Sequence, residues 1–171
     1  MFLSVRELEL KKVRFEETLA PGQLSFELED VKQAGPLSAA GEVELISSSE
    51  EILVTGHLDV QMEGACDRCL EPMGLPVSFD FDLSYLPVDE AGGKPEAEIK
   101  SVDTGIAYYQ GNGLELNDVL REQVLLSIPM QKLCREDCSG ICPHCGQNRN
   151  LTKCACRVDA VDERWSALKN L

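Results

Sequence analysis

Eight cysteines stand in four close pairs along this chain. Two residues separate Cys66 from Cys69, three separate Cys134 from Cys138, two separate Cys142 from Cys145, and one separates Cys154 from Cys156. A thiolate can act as nucleophile, redox group or soft metal ligand. Close pairing is the habit of tetrahedral zinc sites, which take four thiolates. Cys142-Pro143-His144-Cys145-Gly146 is the sharpest unit. Two residues between thiolates let both sulfurs face one ion, and the glycine lets the chain bend so that backbone amides point at sulfur. Cys154 and Cys156 follow eight residues later and can close a compact four-thiolate shell. Cys66, Cys69, Cys134 and Cys138 then form a second set of four, giving two structural zinc ions per chain. A competing division puts one zinc at Cys134, Cys138, Cys142 and Cys145 and leaves the other thiols free.

Other uses of these residues fit less well. Cys138, Cys142 and Cys145 reproduce the spacing that radical S-adenosylmethionine enzymes use for an iron–sulfur cluster, but those enzymes carry it near the start of a large α/β barrel. A redox CxxC belongs at a strand-to-helix junction of an alternating α/β domain, and here the setting is β-rich. The two histidines do not suggest catalysis. His57 falls on the polar face of a strand, and His144 sits at the variable, solvent-facing position of the knuckle. No glycine-rich phosphate loop or Ser/His/Asp arrangement emerges. A zinc ion filled by four thiolates keeps no position for an activated water. The expectation is a protein that is not an enzyme and has no small-molecule substrate.

These cysteines need elements to carry them. Val54, Gly56, Leu58, Val60 and Met62 alternate with polar residues, and so do Val77, Phe79, Phe81 and Leu83. A period of two predicts half-buried strands, with Cys66 and Cys69 at the tip of the loop between them. Phe2–Leu10, Val13–Leu19, Leu24–Leu28 and Glu42–Ile46 read as further short strands. Residues 86–105, rich in Gly, Pro and acids, predict a mobile loop. Leu116, Val119, Leu120, Val124 and Ile128 recur at helical spacing, with Asn117 as N-cap and Pro129 as the stop, so a helix near 117–128 leads into the cysteine cluster. Val161, Trp165, Leu168 and Leu171 predict a short terminal helix anchored by Trp165. The fold class is α+β. Residues 1–133 form a β-rich core, an antiparallel sheet or partly open barrel with one central helix, and residues 134–171 a compact zinc-binding extension.

Charge constrains the partners. Residues 1–133 hold 10 Lys/Arg against 25 Asp/Glu, and residues 134–171 hold 6 against 5, for a net charge of −14. Such a chain lacks a broad basic face for nucleic acid, so basic proteins suit its N-terminal part. The basic concentration near the metal ligands is Arg135, Arg149, Lys153 and Arg157. They are positioned to meet phosphate or to neutralise dianionic zinc–tetrathiolate centres. No apolar run is long enough for a membrane span, and charges thread the N-terminus where a signal peptide would be apolar. A cytoplasmic, thiol-reducing location is expected.

The segments CDRCLEP (66–72), LREQVLLSIPMQKLC (120–134) and CSGICPHCGQNRN (138–150), followed by CAC and DERW, resemble the YceD family, described as a large ribosomal RNA subunit accumulation protein. The match runs in order over about 100 residues. Arg149 stands where the family usually reads Asn-Leu-Asn, and Glu163 where proline is common. The resemblance implies a non-enzymatic ribosome-biogenesis factor needed for accumulation of large-subunit rRNA, acting by binding rRNA or a ribosomal protein. It also implies that Cys66, Cys69, Cys134 and Cys138 form one unit, because some family members keep these positions and lack the terminal cluster. The alternative is a general zinc-stabilised interaction or regulatory module unrelated to ribosomes. Oligomeric state is left open.

Overall fold

A computed structural model describes residues 1–88 and 105–156. The chain divides into two compact units, Met1–Gly64 with Met73–Met130, and Ala65–Pro72 with Gln131–Leu171. In chain order the elements are β1 (Phe2–Ser4), α1 (Val5–Leu8), β2 (Val13–Leu19), β3 (Val31–Gln33), β4 (Leu37–Ile46), β5 (Glu51–Ala65), β6 (Pro72–Pro87), β7 (Ile106–Tyr109), β8 (Gly113–Glu115) and α2 (Leu116–Ser127). The architecture is sheet-rich with few helices, in line with the expected α+β class.

The main sheet runs β2-β4-β5-β6-β7, with β3 also paired to β5, and β1 pairs with β8 in a second small sheet. β2 with β4, β4 with β5 and β3 with β5 are antiparallel. β7 lies parallel to β6, with Ser84 opposite Ile106 and Pro87 opposite Tyr109. Period-two alternation builds one face of the sheet: Leu37, Val43, Ile52, Val54, Leu58 and Met62 are all fully buried. Leu116, Leu120 and Val124 of α2 join the same core, so the helical stripe and the strand faces bury one another. Gly41 pairs with Gly56 across β4 and β5. A Cβ on Gly41 would come within 2.8 Å of the Phe15 ring, and one on Gly56 within 2.9 Å of the Phe81 ring. Two aromatic rings thus occupy the space the glycines leave, which fixes register at the sheet centre.

Several local expectations are corrected. Phe2–Leu10 is not one strand: after β1, the Ser4 hydroxyl accepts the Glu7 N–H at 3.3 Å and starts α1. Ser4 thus acts as the N-cap, and this local bond overrides the extended reading. Leu24–Leu28 forms no strand, because Glu27 has a φ of 53°, which breaks an extended run, although Phe26 is buried. The N-cap of α2 is Glu115, not Asn117, and makes no side-chain capping bond. The parallel β6/β7 pair departs from an all-antiparallel sheet, since alternation carries no information on partner direction. Of the predicted loop, residues 89–104 lie outside the described residues, as do the predicted terminal helix with Trp165 and the candidate contact Arg157.

His57 is exposed on the polar side of β5, as its place in the alternation implies. Its Nδ1 lies 2.7 Å from Asp80 and its Nε2 2.8 Å from Asp59. The hydrogen bond to Asp80, supported by the charge of Asp59, raises the His57 pKa above its ordinary value. A raised folded-state pKa contributes stability that is complete below about pH 6.5, the unfolded value, and fades as pH rises through the folded one. The expected imidazole NMR titration has its midpoint above that of an unfolded peptide. Asp80→Asn should lower it; an unmoved midpoint would show that the pair does not hold the proton.

Candidate metal centres

The second unit gathers its cysteines into two groups. Cys66, Cys69, Cys134 and Cys138 bring their four Sγ atoms within 4.8 Å of one another, and so do Cys142, Cys145, Cys154 and Cys156. These are the two sets of four that the spacing suggests, and the competing division at Cys134, Cys138, Cys142 and Cys145 is not the one assembled. None of the eight cysteines is in a disulfide. Cys66 Sγ lies 3.8 Å from Cys138 Sγ, and Cys69 Sγ 3.7 Å from Cys134 Sγ. A tetrahedral ion with metal–sulfur bonds of about 2.3 Å requires a sulfur–sulfur edge of about 3.8 Å. The donor set and its spacing therefore fit a tetrahedral thiophilic ion. His144 is exposed and belongs to neither group.

Both CxxC turns adopt one geometry from different residues. In the first, the Leu70 N–H donates to the Cys66 carbonyl at 2.8 Å and the Cys66 N–H to the Glu71 carbonyl at 2.9 Å. In the second, the Gly146 N–H donates to the Cys142 carbonyl and the Cys142 N–H to the Gln147 carbonyl, both at 2.9 Å. Each turn needs a left-handed residue after its second cysteine. Gly146 takes a φ of 71° without strain, whereas Leu70 takes 62° with a Cβ and a side chain 62% exposed.

The first group depends on stitching loop 65–72 to the segment after α2. The Asp67 N–H donates to the Lys132 carbonyl at 2.8 Å, and the Lys132 N–H to an Asp67 carboxylate oxygen at 2.6 Å. The Ile141 N–H donates to the Arg68 carbonyl at 2.9 Å, and the Arg68 guanidinium to the Cys138 carbonyl at 3.2 Å. A Cβ on Gly140 would sit 2.9 Å from that Arg68 carbonyl oxygen, so this crossing requires glycine. Backbone amides aimed at sulfur pull two thiols down to about 6: Cys66, chiefly through the Cys134 N–H, and Cys142, through the N–H groups of Cys145 and His144. Burial pushes Cys134 up to about 12, and the hydrogen bond with Cys145 does the same for Cys156. Without a cation, four thiolates cannot all stay charged so close together; with one they must.

Two asparagines link the groups, and spacing alone does not reveal them. Asn148 and Asn150 lie in sequence between Cys145 and Cys154, yet they serve the other centre. The Asn150 side-chain amide donates to Cys138 Sγ at 3.3 Å and lowers that thiol's pKa. Its carbonyl accepts from the Ser139 N–H and the Arg135 guanidinium, both at 2.8 Å. The Asn148 side chain donates to Glu71 at 3.2 Å and accepts the Asn150 N–H at 2.9 Å. Only the Asn-x-Asn pattern in 148–150 hints at this from sequence.

The candidate contact residues separate into two kinds. Arg135 is engaged, paired with Asp137 at 3.3 Å as well as with Asn150. Arg149 and Lys153 line an open groove of about 560 Å³ with Ser139 and Cys154, and neither has an ion-pair partner among the described residues.

Two variants probe the turns. Leu70→Gly should leave stability unchanged or slightly raised, because strain relief and glycine's chain entropy nearly offset each other. Gly146→Leu should cost about 1–2 kcal/mol by denaturant unfolding; equal costs at the two positions would refute the shared geometry. Titration of the metal-free chain with cobalt(II) should saturate at two equivalents, read from thiolate charge-transfer absorbance. Asn150→Ala should weaken one of the two binding steps by about 10–100-fold and spare the other.

Comparison with known proteins follows the same residues. The family model of the large ribosomal RNA subunit accumulation protein YceD matches residues 54–171. An uncharacterized protein of Mycobacterium tuberculosis is 28% identical over 149 residues, which span 87% of this chain and 68% of the relative. The large ribosomal RNA subunit accumulation protein YCED homolog 1, chloroplastic, of Arabidopsis thaliana is 24% identical, over 87% of this chain and 52% of its own. The uncharacterized protein YlbN of Bacillus subtilis is 21% identical over 98% of this chain and 92% of its own. No solved structure matches. On the strength of a match that covers both cysteine groups, most of β5, β6 to β8 and α2, the chain belongs to the YceD family.

Proposed function

We propose that this chain is a ribosome-biogenesis factor that supports accumulation of large-subunit rRNA by binding rather than by chemistry. Family membership and the Arabidopsis relative's name support a ribosome-related role. The observation that carries the finer reading is the pairing of two four-thiol centres with Arg149 and Lys153 on one groove. Zinc is the ion these centres suit, because all eight ligands are sulfur, and four thiolates complete its shell. Its part is structural: it neutralises the thiolates and holds the loop segments in place, and no coordination position is left for a reacting water.

On this reading Arg149 and Lys153 meet phosphate in large-subunit rRNA. They carry unpaired charge among the described residues beside Ser139, and phosphate contacts of this kind position a protein on RNA without reading its sequence. The cytoplasm suits free thiolate ligands. No helix among the described residues is long and apolar enough to cross a membrane.

Elemental analysis should find two zinc ions per chain and no iron. A strain lacking the gene should accumulate fewer large-subunit particles and more unprocessed rRNA; a normal ribosome profile would remove the proposal. Arg149→Glu with Lys153→Glu should weaken binding to large-subunit rRNA and flatten its dependence on salt, since each lost phosphate contact reduces counterion release. An unchanged affinity and slope would assign these side chains to neutralising the zinc centres instead.

A further inference from the structure

The first unit carries a groove that the cysteine centres do not use. It has a volume of about 380 Å³ and lies along α2, with walls from β1, β6, β7 and β8. One side is aromatic: Phe2 and Tyr108 are 50% and 63% exposed, with buried Tyr85 beneath. The other side is acidic. Glu115, Asp118 and Glu122 follow at intervals of three and four residues, which places them on one face of the helix. A second cavity of about 190 Å³ shares Tyr85 and Glu122 and continues the groove to Leu126, which is 72% exposed.

The fold's own needs do not account for this wall. The helix dipole favours Asp118 in the first turn, but its influence has faded by Glu122. Asp118 and Glu122 stand four residues apart, an arrangement in which like charges destabilise a helix. Glu115 faces the Met1 ammonium at 3.7 Å. Asp118 and Glu122 have no cationic partner among the described residues, although Arg121 between them pairs with Glu27. Exposed aromatic rings beside unpaired carboxylates make a receptor for an organic cation, with ring faces and carboxylates attracting the same charge.

We propose that this groove docks an arginine- or lysine-rich segment of a basic partner protein. Its cationic side chains lie over Tyr108 and Phe2 and pair with Asp118 and Glu122, and an apolar neighbour in the segment covers Leu126. Three carboxylates repel nucleic-acid phosphate. Residues 89–104 of this chain carry five acidic side chains to two basic ones, so their charge does not complement the groove. A small free cation would leave Leu126 uncovered, whereas a polypeptide segment reaches it. Arginine and tyrosine are also among the residues that dominate protein–protein hot spots.

The test uses the full zinc-loaded chain and a fluorescein-labelled ten-residue peptide of alternating arginine and leucine, read by anisotropy. Asp118→Asn with Glu122→Gln should weaken binding at least about tenfold, and Tyr108→Ala several-fold, while Tyr108→Phe keeps it. Glu16→Gln with Asp82→Asn removes the same charge from exposed positions on β2 and β6 and should change affinity less than about twofold. Equal weakening by the two double variants would overturn the proposal, because binding would then follow net charge alone. No measurable binding by the unaltered chain, or tighter binding of a labelled single-stranded RNA decamer that Asp118→Asn with Glu122→Gln weakens, would overturn it as well. The substituted side chains are exposed, and unchanged melting temperatures verify that the variants fold. The readout is peptide binding, so this proposal stands or falls separately from the ribosomal one.

Discussion

Two pairs of cysteines that are far apart in sequence meet in one cluster. Cys69 and Cys134 are separated by 65 positions and sit with their sulfurs 3.7 Å apart. Closing a loop of that length costs about 4 kcal/mol of chain entropy. The thiols add a further opposition, since burial and mutual repulsion resist full ionisation, as the pKa of about 12 for Cys134 indicates. A zinc ion held by the four thiolates, as proposed, would supply about 10 kcal/mol or more at neutral pH. Such a margin would cover both costs, and exceeds what exposed ion pairs typically contribute. The hydrogen bonds between loop 65–72 and Lys132, Cys138 and Ile141 direct the closure; a bound ion would make it favourable.

The second centre faces a milder problem. Its four ligands fall within 15 residues, so little chain entropy is lost in gathering them. Its loop also reaches beyond its own four cysteines. Through Asn148 and Asn150 it reaches Glu71 and Cys138, and it therefore supplies part of the outer hydrogen-bonding shell of the first centre. Outer-shell donors orient a metal's ligands and tune their charge, so an ion held in one centre would support the other. The two CxxC turns repeat one hydrogen-bond pattern, but glycine takes the left-handed position in one and leucine in the other. The leucine version is held in a strained conformation by the surrounding network.

Much of this was legible in the sequence because cysteine spacing is a strong local signal. The two sets of four are one of two divisions that CxxC, CxxxC and CxC spacing allows, and the family resemblance favours it; the alternation around Leu58 and Phe81 marks the central strands. Other features lie beyond such patterns. Nothing in Cys-Leu-Glu announces a left-handed Leu70, since leucine ordinarily avoids that region. The parallel approach of β7 to β6 depends on a long-range pairing that alternation cannot encode. The capping role of Ser4 was present in Ser-Val-Arg-Glu but competed with an apolar, strand-like run. Asn150 has the subtlest role: its position in sequence assigns it to one metal loop, and only the three-dimensional path shows that it serves the neighbouring one.

The wide separation of the first centre's ligands also has a consequence for synthesis. A ribosome adding about 5–20 residues per second needs several seconds to pass from Cys69 to Cys134. During that interval the CxxC of the nascent chain lacks its partner thiols. It is a bidentate chelator in search of an ion, open to oxidation or to a wrong metal. The second centre passes through no comparable interval, because all its ligands emerge in under a few seconds. On the proposed zinc reading, this protein is therefore most vulnerable to metal shortage while it is being made, in the interval between its two halves of one site.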